Sequence, residues 1–226
     1  MGGTLIPPPV LSAAILPTTQ PFERHTDRYE DWFEAHEHAY QSELDAVDRL
    51  LPSGRGLEIG VGSGRFAAPL GVEYGVDPAE AMLSRARDRG VRAVRGVAEA
   101  LPFVDATFDS ALVVTTICFV DDVPATLREA RRVLRPGGAL VVGFVDETSP
   151  LGQRYEEMKA ENPFYRDAVF LSTDDLAAEL AAAGFEDLAF AQTVFEFPGE
   201  MDAPDPVEDG YGEGSFVVVR ARRPAE

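Results

Sequence analysis

In the stretch GLEIGVGSGR, residues 56–65, a carboxylate, Glu58, stands two residues ahead of Gly60, and Gly62 and Gly64 follow on alternate positions. Glycines spaced like this behind a short apolar run end a strand in a tight turn. They also let backbone approach a ligand closely before the next helix starts. The chemistry offered is binding: backbone amides for a polar group, and a carboxylate at the ligand-facing end of the strand. Dinucleotide binding calls for G-x-G-x-x-G, whose third glycine packs helix on strand. This chain has G-x-G-x-G, with Phe66 close behind where that packing would exclude a large side chain. The loop suits an adenosine-containing ligand, and its neighbours must decide which one.

Other reactive side chains are few. Cys118 is the single cysteine. No activating base stands near it in the sequence, so a buried structural thiol is expected. A lone cysteine rules out an intrachain disulfide and suits a reducing, cytoplasmic setting. The three histidines, His25, His36 and His38, all fall in the N-terminal segment. His36 and His38, two apart, point to different faces of a helix, so no shared metal site is expected.

Several elements must position these residues. Strand-like runs at 56–59, 73–77, 92–96, 110–116 and 139–145 alternate with helical patterns at 63–69, 79–90 and 122–134, the last stopped by Pro136-Gly137-Gly138. This alternation predicts an α/β fold: a parallel sheet with helices on both faces. Ahead of it, residues 23–53 read as one or two amphipathic helices. Behind it, 173–185 reads as a helix with Thr173 as N-cap and Gly184 at its end, followed by strands at 187–194 and 215–223 that should pair antiparallel. Residues 1–22 are proline-rich, with no basic residue before the apolar patch Val10–Leu16; they read as a flexible tail rather than a signal peptide. The remainder, 23–226, reads as a single domain.

The charge balance narrows the partners. Net charge is −19, and Lys159 is the only lysine among 20 basic residues. Such a surface repels phosphate backbones, so direct DNA or RNA binding is disfavoured. An acidic, lysine-poor surface also stays soluble in concentrated salt, where its self-repulsion is screened, so a halophilic chain is expected. No run is long enough to span a membrane.

Taken in order and spacing, LEIGVGSGRF (57–66), YGVDPAEAML (74–83), GVAEALPF (96–103), TFD (107–109) and RVLRPGG (132–138) resemble the class I S-adenosylmethionine-dependent methyltransferases, in particular their ubiquinone-biosynthesis-like branch. The resemblance spans roughly residues 23–223. It implies a Rossmann-like, seven-stranded, mostly parallel sheet with the last strand antiparallel, and an N-terminal helical lid over 23–53. It implies S-adenosylmethionine as cofactor, with Asp77 on the ribose hydroxyls and Glu58 matched to the ammonium group. Gly60, Gly62 and Gly64 would hold the methionine portion, with Pro78, Ala98, Thr115 and Tyr29 around the rest. The family's adenine-binding acid is replaced here by Val97, which leaves Glu99 as its substitute and Leu101 and Phe103 as apolar faces.

The same resemblance puts the methyl acceptor at the end of the fourth strand, TTICFVDD (115–122), where Thr116 and Phe119 offer an apolar wall. Trp32 from the lid, and Phe164, Tyr165 and Arg166 from a cap at 161–172, complete the expected acceptor pocket. Transfer needs no metal and rests on placing the acceptor behind the sulfonium methyl. Relatives of this fold pair the edge formed by their third strand, here Val91 to Arg95, with a small zinc-binding activator, a partner that would bring tRNA or protein substrates into play. A catalytically silent cofactor-binding module is the further alternative. Nothing in the sequence names the acceptor.

Overall fold

In the computed structural model, which describes residues 19–226, eight strands alternate with seven helices. The strands are β1 (Gly56–Ile59), β2 (Tyr74–Asp77), β3 (Arg92–Arg95), β4 (Phe108–Val114), β5 (Leu134–Val145), β6 (Glu186–Thr193), β7 (Glu208–Asp209) and β8 (Phe216–Arg222). The helices are α1 (Gln20–Arg24), α2 (Thr26–Ala35), α3 (Glu37–Leu50), α4 (Glu80–Asp88), α5 (Val123–Val133), α6 (Pro150–Met158) and α7 (Thr173–Ala182). The strands form one sheet in the order β3-β2-β1-β4-β5-β8-β6-β7. Pairing is parallel from β3 through β5 and antiparallel from β5 to β8, β6 and β7. The expected seven strands are joined by an eighth, the two-residue β7, which extends the edge at β6.

Strand periodicity builds two cores. On β4, Ala111 and Val113 face a cluster with Leu127 and Ala130 of α5 and Leu176 and Leu180 of α7. Leu112 and Val114 face the other side, toward Phe33, Val47, Leu83 and Ala86 of α2, α3 and α4. Both faces of the parallel sheet are thus covered by helices.

Four local expectations are corrected. Residues 63–69 form successive turns instead of a helix. Pro69 has no N–H to give the Arg65 carbonyl, and the Tyr40 hydroxyl donates to that carbonyl instead. Pro136-Gly137-Gly138 does not follow α5 as a separate stop: α5 ends at Val133, and the glycines lie within β5 where its register against β4 shifts between Phe108 and Ser110. Ser172, not Thr173, caps α7 by accepting from the Asp175 N–H at 3.1 Å, because Thr173 is drawn to Asp146. The N-terminal segment is three helices, broken at His25 and His36. The expected tail lies outside the described residues up to position 18, and its last residues enter α1.

Ion pairs and caps fasten the N-terminal layer down. Glu23 accepts from the N–H groups of Glu80 and Ala81 at 2.7 and 3.2 Å, capping α4 from another helix. Buried Glu30 accepts from Arg65 at 2.6 and 2.9 Å and from Arg89 at 2.5 Å. Arg89 also donates to the Ser63 carbonyl at 2.7 Å, so one carboxylate ties α2 to the glycine loop. Among the described residues no helix is long and apolar enough to cross a membrane.

Candidate active site

The carboxyl ends of β1, β2, β4 and β5 open into a cavity of about 270 Å³, roofed by α1, α2, α3 and α6. Ligands of open α/β sheets bind at this end, where strand order reverses, and here the reversal falls between β1 and β4.

The glycine loop forms one wall. Gly60 has φ +73°, and a Cβ there would meet Thr116 Cγ2 at 2.2 Å. Gly62 has φ +51° and lies under the Tyr29 hydroxyl, 3.4 Å from where its Cβ would stand. Both line the cavity. Gly64 does not: its Cβ position faces the Ala86 backbone at 3.2 Å, so its small size serves the packing of the loop on α4. The helix-packing glycine missing from the dinucleotide pattern is therefore present one residue earlier.

Asp77 closes β2 and borders the cavity. Its Oδ2 accepts from the Gly62 N–H at 2.9 Å and its Oδ1 from the Ala79 N–H at 2.8 Å. Burial pushes its carboxyl up to about 6, against the lowering effect of those two bonds. Glu58 lies beneath the loop and does not border the cavity. Burial holds its carboxyl well above the usual range while a bond from the Ala67 N–H opposes, and its Oε2 is buried with no partner.

Pro78, Ala98 and Glu99 line the cavity beside Asp77. Glu99 Oε1 accepts from the Asp121 and Asp122 N–H groups at 2.8 and 3.4 Å, which commits that oxygen to bracing the loop after β4. Leu101 and Phe103 are buried in the core behind this wall instead of facing the cavity. Arg132, from the RVLRPGG stretch, pins their segment by donating to the Leu101 and Phe103 carbonyls at 3.0 and 2.8 Å.

The opposite wall follows β4. Thr115 adopts φ +47°, a strained conformation for a β-branched residue, and its N–H donates to the Gly143 carbonyl at 2.8 Å. Thr116 donates to the Gly60 carbonyl at 3.2 Å. Cys118 is half-buried and lines the cavity, so the expectation of a fully buried thiol is corrected; its surroundings push the thiol up to about 12, which leaves it a poor nucleophile. Phe119 stacks on Tyr165 at 6.5 Å, and Phe22 meets Phe119 edge-on and Phe164 at a tilt, at 5.3 Å each.

Tyr29, Trp32, Phe164 and Tyr165 all line the cavity. Arg166 does not: it is exposed and is not among the residues that line the cavity. His36 stacks on Trp32 at 5.0 Å, and His25 meets Phe164 edge-on. Among the described residues no three His, Cys, Asp or Glu side chains gather to hold a metal. Sequence inspection overlooked Glu43 of α3, a buried carboxylate facing the cavity. The signal was present: Glu43 falls on the same helical stripe as Ala39, Ala46 and Val47.

A family model described as a methyltransferase domain matches residues 57–142. A SAM-dependent methyltransferase from Thermotoga maritima, described as a possible histamine N-methyltransferase, is 51% identical; the match covers 91% of this chain and 99% of that one, with a TM-score of 0.90. An uncharacterised protein of Methanocaldococcus jannaschii is 41% identical over 89% of this chain and 98% of its own length. A chain from the complex between the Haloferax volcanii Trm112 methyltransferase activator and a methyltransferase shares the fold at a TM-score of 0.71 and 18% identity, over 92% of this chain and 98% of that one. The chain belongs to the S-adenosylmethionine-dependent methyltransferases.

Proposed function

We propose that this methyltransferase acts on a small acceptor enclosed between the glycine loop and the aromatic roof. The observation that carries the proposal is the cavity itself, with backbone and carboxylates on one wall and aromatic rings on the other. The cofactor fits the first wall: Gly60 has no room for a side chain, Gly62 at φ +51° has a backbone that disfavours one, and Glu58 keeps an orphaned oxygen beneath them. S-Adenosylmethionine, when bound, supplies a methyl group on a positively charged sulfur.

The chain's own residues do the rest. Asp77 retains a free lone pair on each oxygen beyond its two amide bonds and receives the ribose hydroxyls. Glu58, beneath the loop with an unpartnered Oε2, pairs with the ammonium of the amino-acid end, whose charge favours the ionised carboxylate that burial alone disfavours. Pro78, Ala98 and Glu99 border the adenine, and Thr115 and Tyr29 close over the reacting centre. Trp32, Thr116, Phe119, Phe164 and Tyr165 exclude water and hold the acceptor in line, so that positioning supplies much of the rate. Thermal unfolding with S-adenosylhomocysteine tests this: a clear rise in Tm with that product and none with NADH is expected. A chain that binds it yet methylates nothing in a broad small-molecule screen would be a silent module.

A second proposal concerns partners. β3 stands at the end of the sheet with Arg92 and Arg95 exposed, which supports addition of a strand from a small zinc-binding activator. The Arg87 guanidinium, which donates to the Ala93 carbonyl at 3.0 Å, would have to move aside. A soluble and fully active single chain would count against such a partner.

A further inference from the structure

The cavity holds one group that cofactor binding does not use. Glu43 is 5% exposed, borders the cavity, and has neither a hydrogen bond nor an ion pair among the described residues. A buried carboxylate without a partner is costly, and such groups persist where a ligand completes them.

Its surroundings place it on the acceptor side. Glu43 lines the cavity together with Tyr155, Phe164, Tyr165 and Phe170 of the aromatic wall, and Tyr155 and Tyr165 stack on each other at 4.8 Å. Among the described residues the only basic side chain bordering the cavity is Arg28, whose guanidinium sits 5.8 Å over the Phe164 ring. Tyr165 continues the aromatic surface to Phe170 at 5.8 Å and to Phe119. A lone carboxylate among ring faces is complementary to a small organic cation: the rings attract the positive charge and the carboxylate pairs with it.

Resting on the methyltransferase function proposed above, we infer that the acceptor is a small primary or secondary amine, bound as its ammonium by the Glu43 carboxylate within the Tyr155–Tyr165–Phe170 surface. In the transfer Glu43 takes one N–H proton, which leaves a lone pair on nitrogen. That pair forms the new nitrogen–carbon bond while the carbon–sulfur bond breaks and its electrons stay on sulfur. The methylated nitrogen carries the positive charge that the sulfur lost, and the proton on Glu43 passes to water as the product leaves. The burial that pushes Glu43 up to about 8 suits a group that must hold a proton briefly near neutrality.

The test is calorimetric binding to the full chain saturated with S-adenosylhomocysteine, using phenethylamine, phenethyl alcohol and 3-phenylpropanoate as probes. The amine should bind at least about tenfold tighter than the alcohol, and the anion weakest. Glu43→Gln should remove the amine's advantage while leaving affinity for S-adenosylhomocysteine within about twofold, and Glu43→Asp should restore part of it. Equal binding of amine and alcohol, or loss of S-adenosylhomocysteine affinity in Glu43→Gln, would overturn the inference and leave the methyltransferase function standing. Failure of the unaltered, folded chain to bind S-adenosylhomocysteine would overturn both.

Discussion

Replacing Glu43 by glutamine should flatten the pH dependence of folding. Burial pushes this carboxyl up to about 8 from the ordinary 4.5, and nothing opposes that rise. Between those two values the folded chain keeps a proton that the unfolded chain has released, so stability falls as pH rises. The contribution is intact below about pH 4.5 and is lost progressively until the pH passes about 8. At ~1.4 kcal/mol per pH unit the whole window amounts to roughly 4–5 kcal/mol, a large share of the ~5–15 kcal/mol net stability of a typical domain. Glutamine keeps the shape and removes the titration. Urea unfolding between pH 5 and 9 should therefore show the unaltered chain losing about 4 kcal/mol more than Glu43→Gln. The slopes from Asp77 and Glu58 are common to both proteins and cancel in the difference. Parallel curves for the two proteins would refute the reasoning, because they would mean that the Glu43 carboxyl is solvated or paired in the free chain.

Three further substitutions probe the scaffold. Gly60→Ala forces a side chain into Thr116 at φ +73°; chemical denaturation should show a loss of roughly 2–3 kcal/mol, with cofactor binding weakened as the loop shifts. Tyr40→Phe leaves the Arg65 carbonyl without the donor that Pro69 cannot provide, and the same measurement should show a loss of about 1–2 kcal/mol. Glu30→Ala strands Arg65 and Arg89, whose side chains are 21% and 29% exposed. After discounting for that exposure, a loss of about 2–3 kcal/mol is expected, along with faster proteolysis within α1 and α2.

Much of this architecture was legible because its signals are local. β1 was read at its observed bounds, since a short apolar run between glycines has few alternatives, and the alternation of strands and helices fixed the layered sheet. The glycine loop and Asp77 were found for the same reason: type and spacing suffice to name them. What stayed hidden depends on distance in sequence. The loop at 63–69 looks helical until the Tyr40 hydroxyl, 25 residues upstream, takes the carbonyl that Pro69 leaves unpaired. Thr173 looks like a cap until Asp146, from the end of β5, claims it. Gly64 looks like part of a ligand loop until α4 packs against it. Helix α6 was not anticipated, although Ser149 as N-cap and Pro150 at the first helical position mark its start. Glu43 shares the buried stripe of α3, so its enclosure was open to a reading by periodicity, whereas the pairing of Glu30 with Arg65 and Arg89 joins residues 35 and 59 positions apart.

The central claim, that the glycine loop and Asp77 form the cofactor wall of a methyl-transfer site, is tested most directly by calorimetric titration of S-adenosylmethionine into the purified chain and its Asp77→Asn variant, with NADH as control. One site of micromolar affinity in the unaltered chain is expected, weakened by about tenfold or more in Asp77→Asn, with no heat from NADH. Equal affinity in both proteins, or saturable binding of NADH by the unaltered chain, would contradict the account.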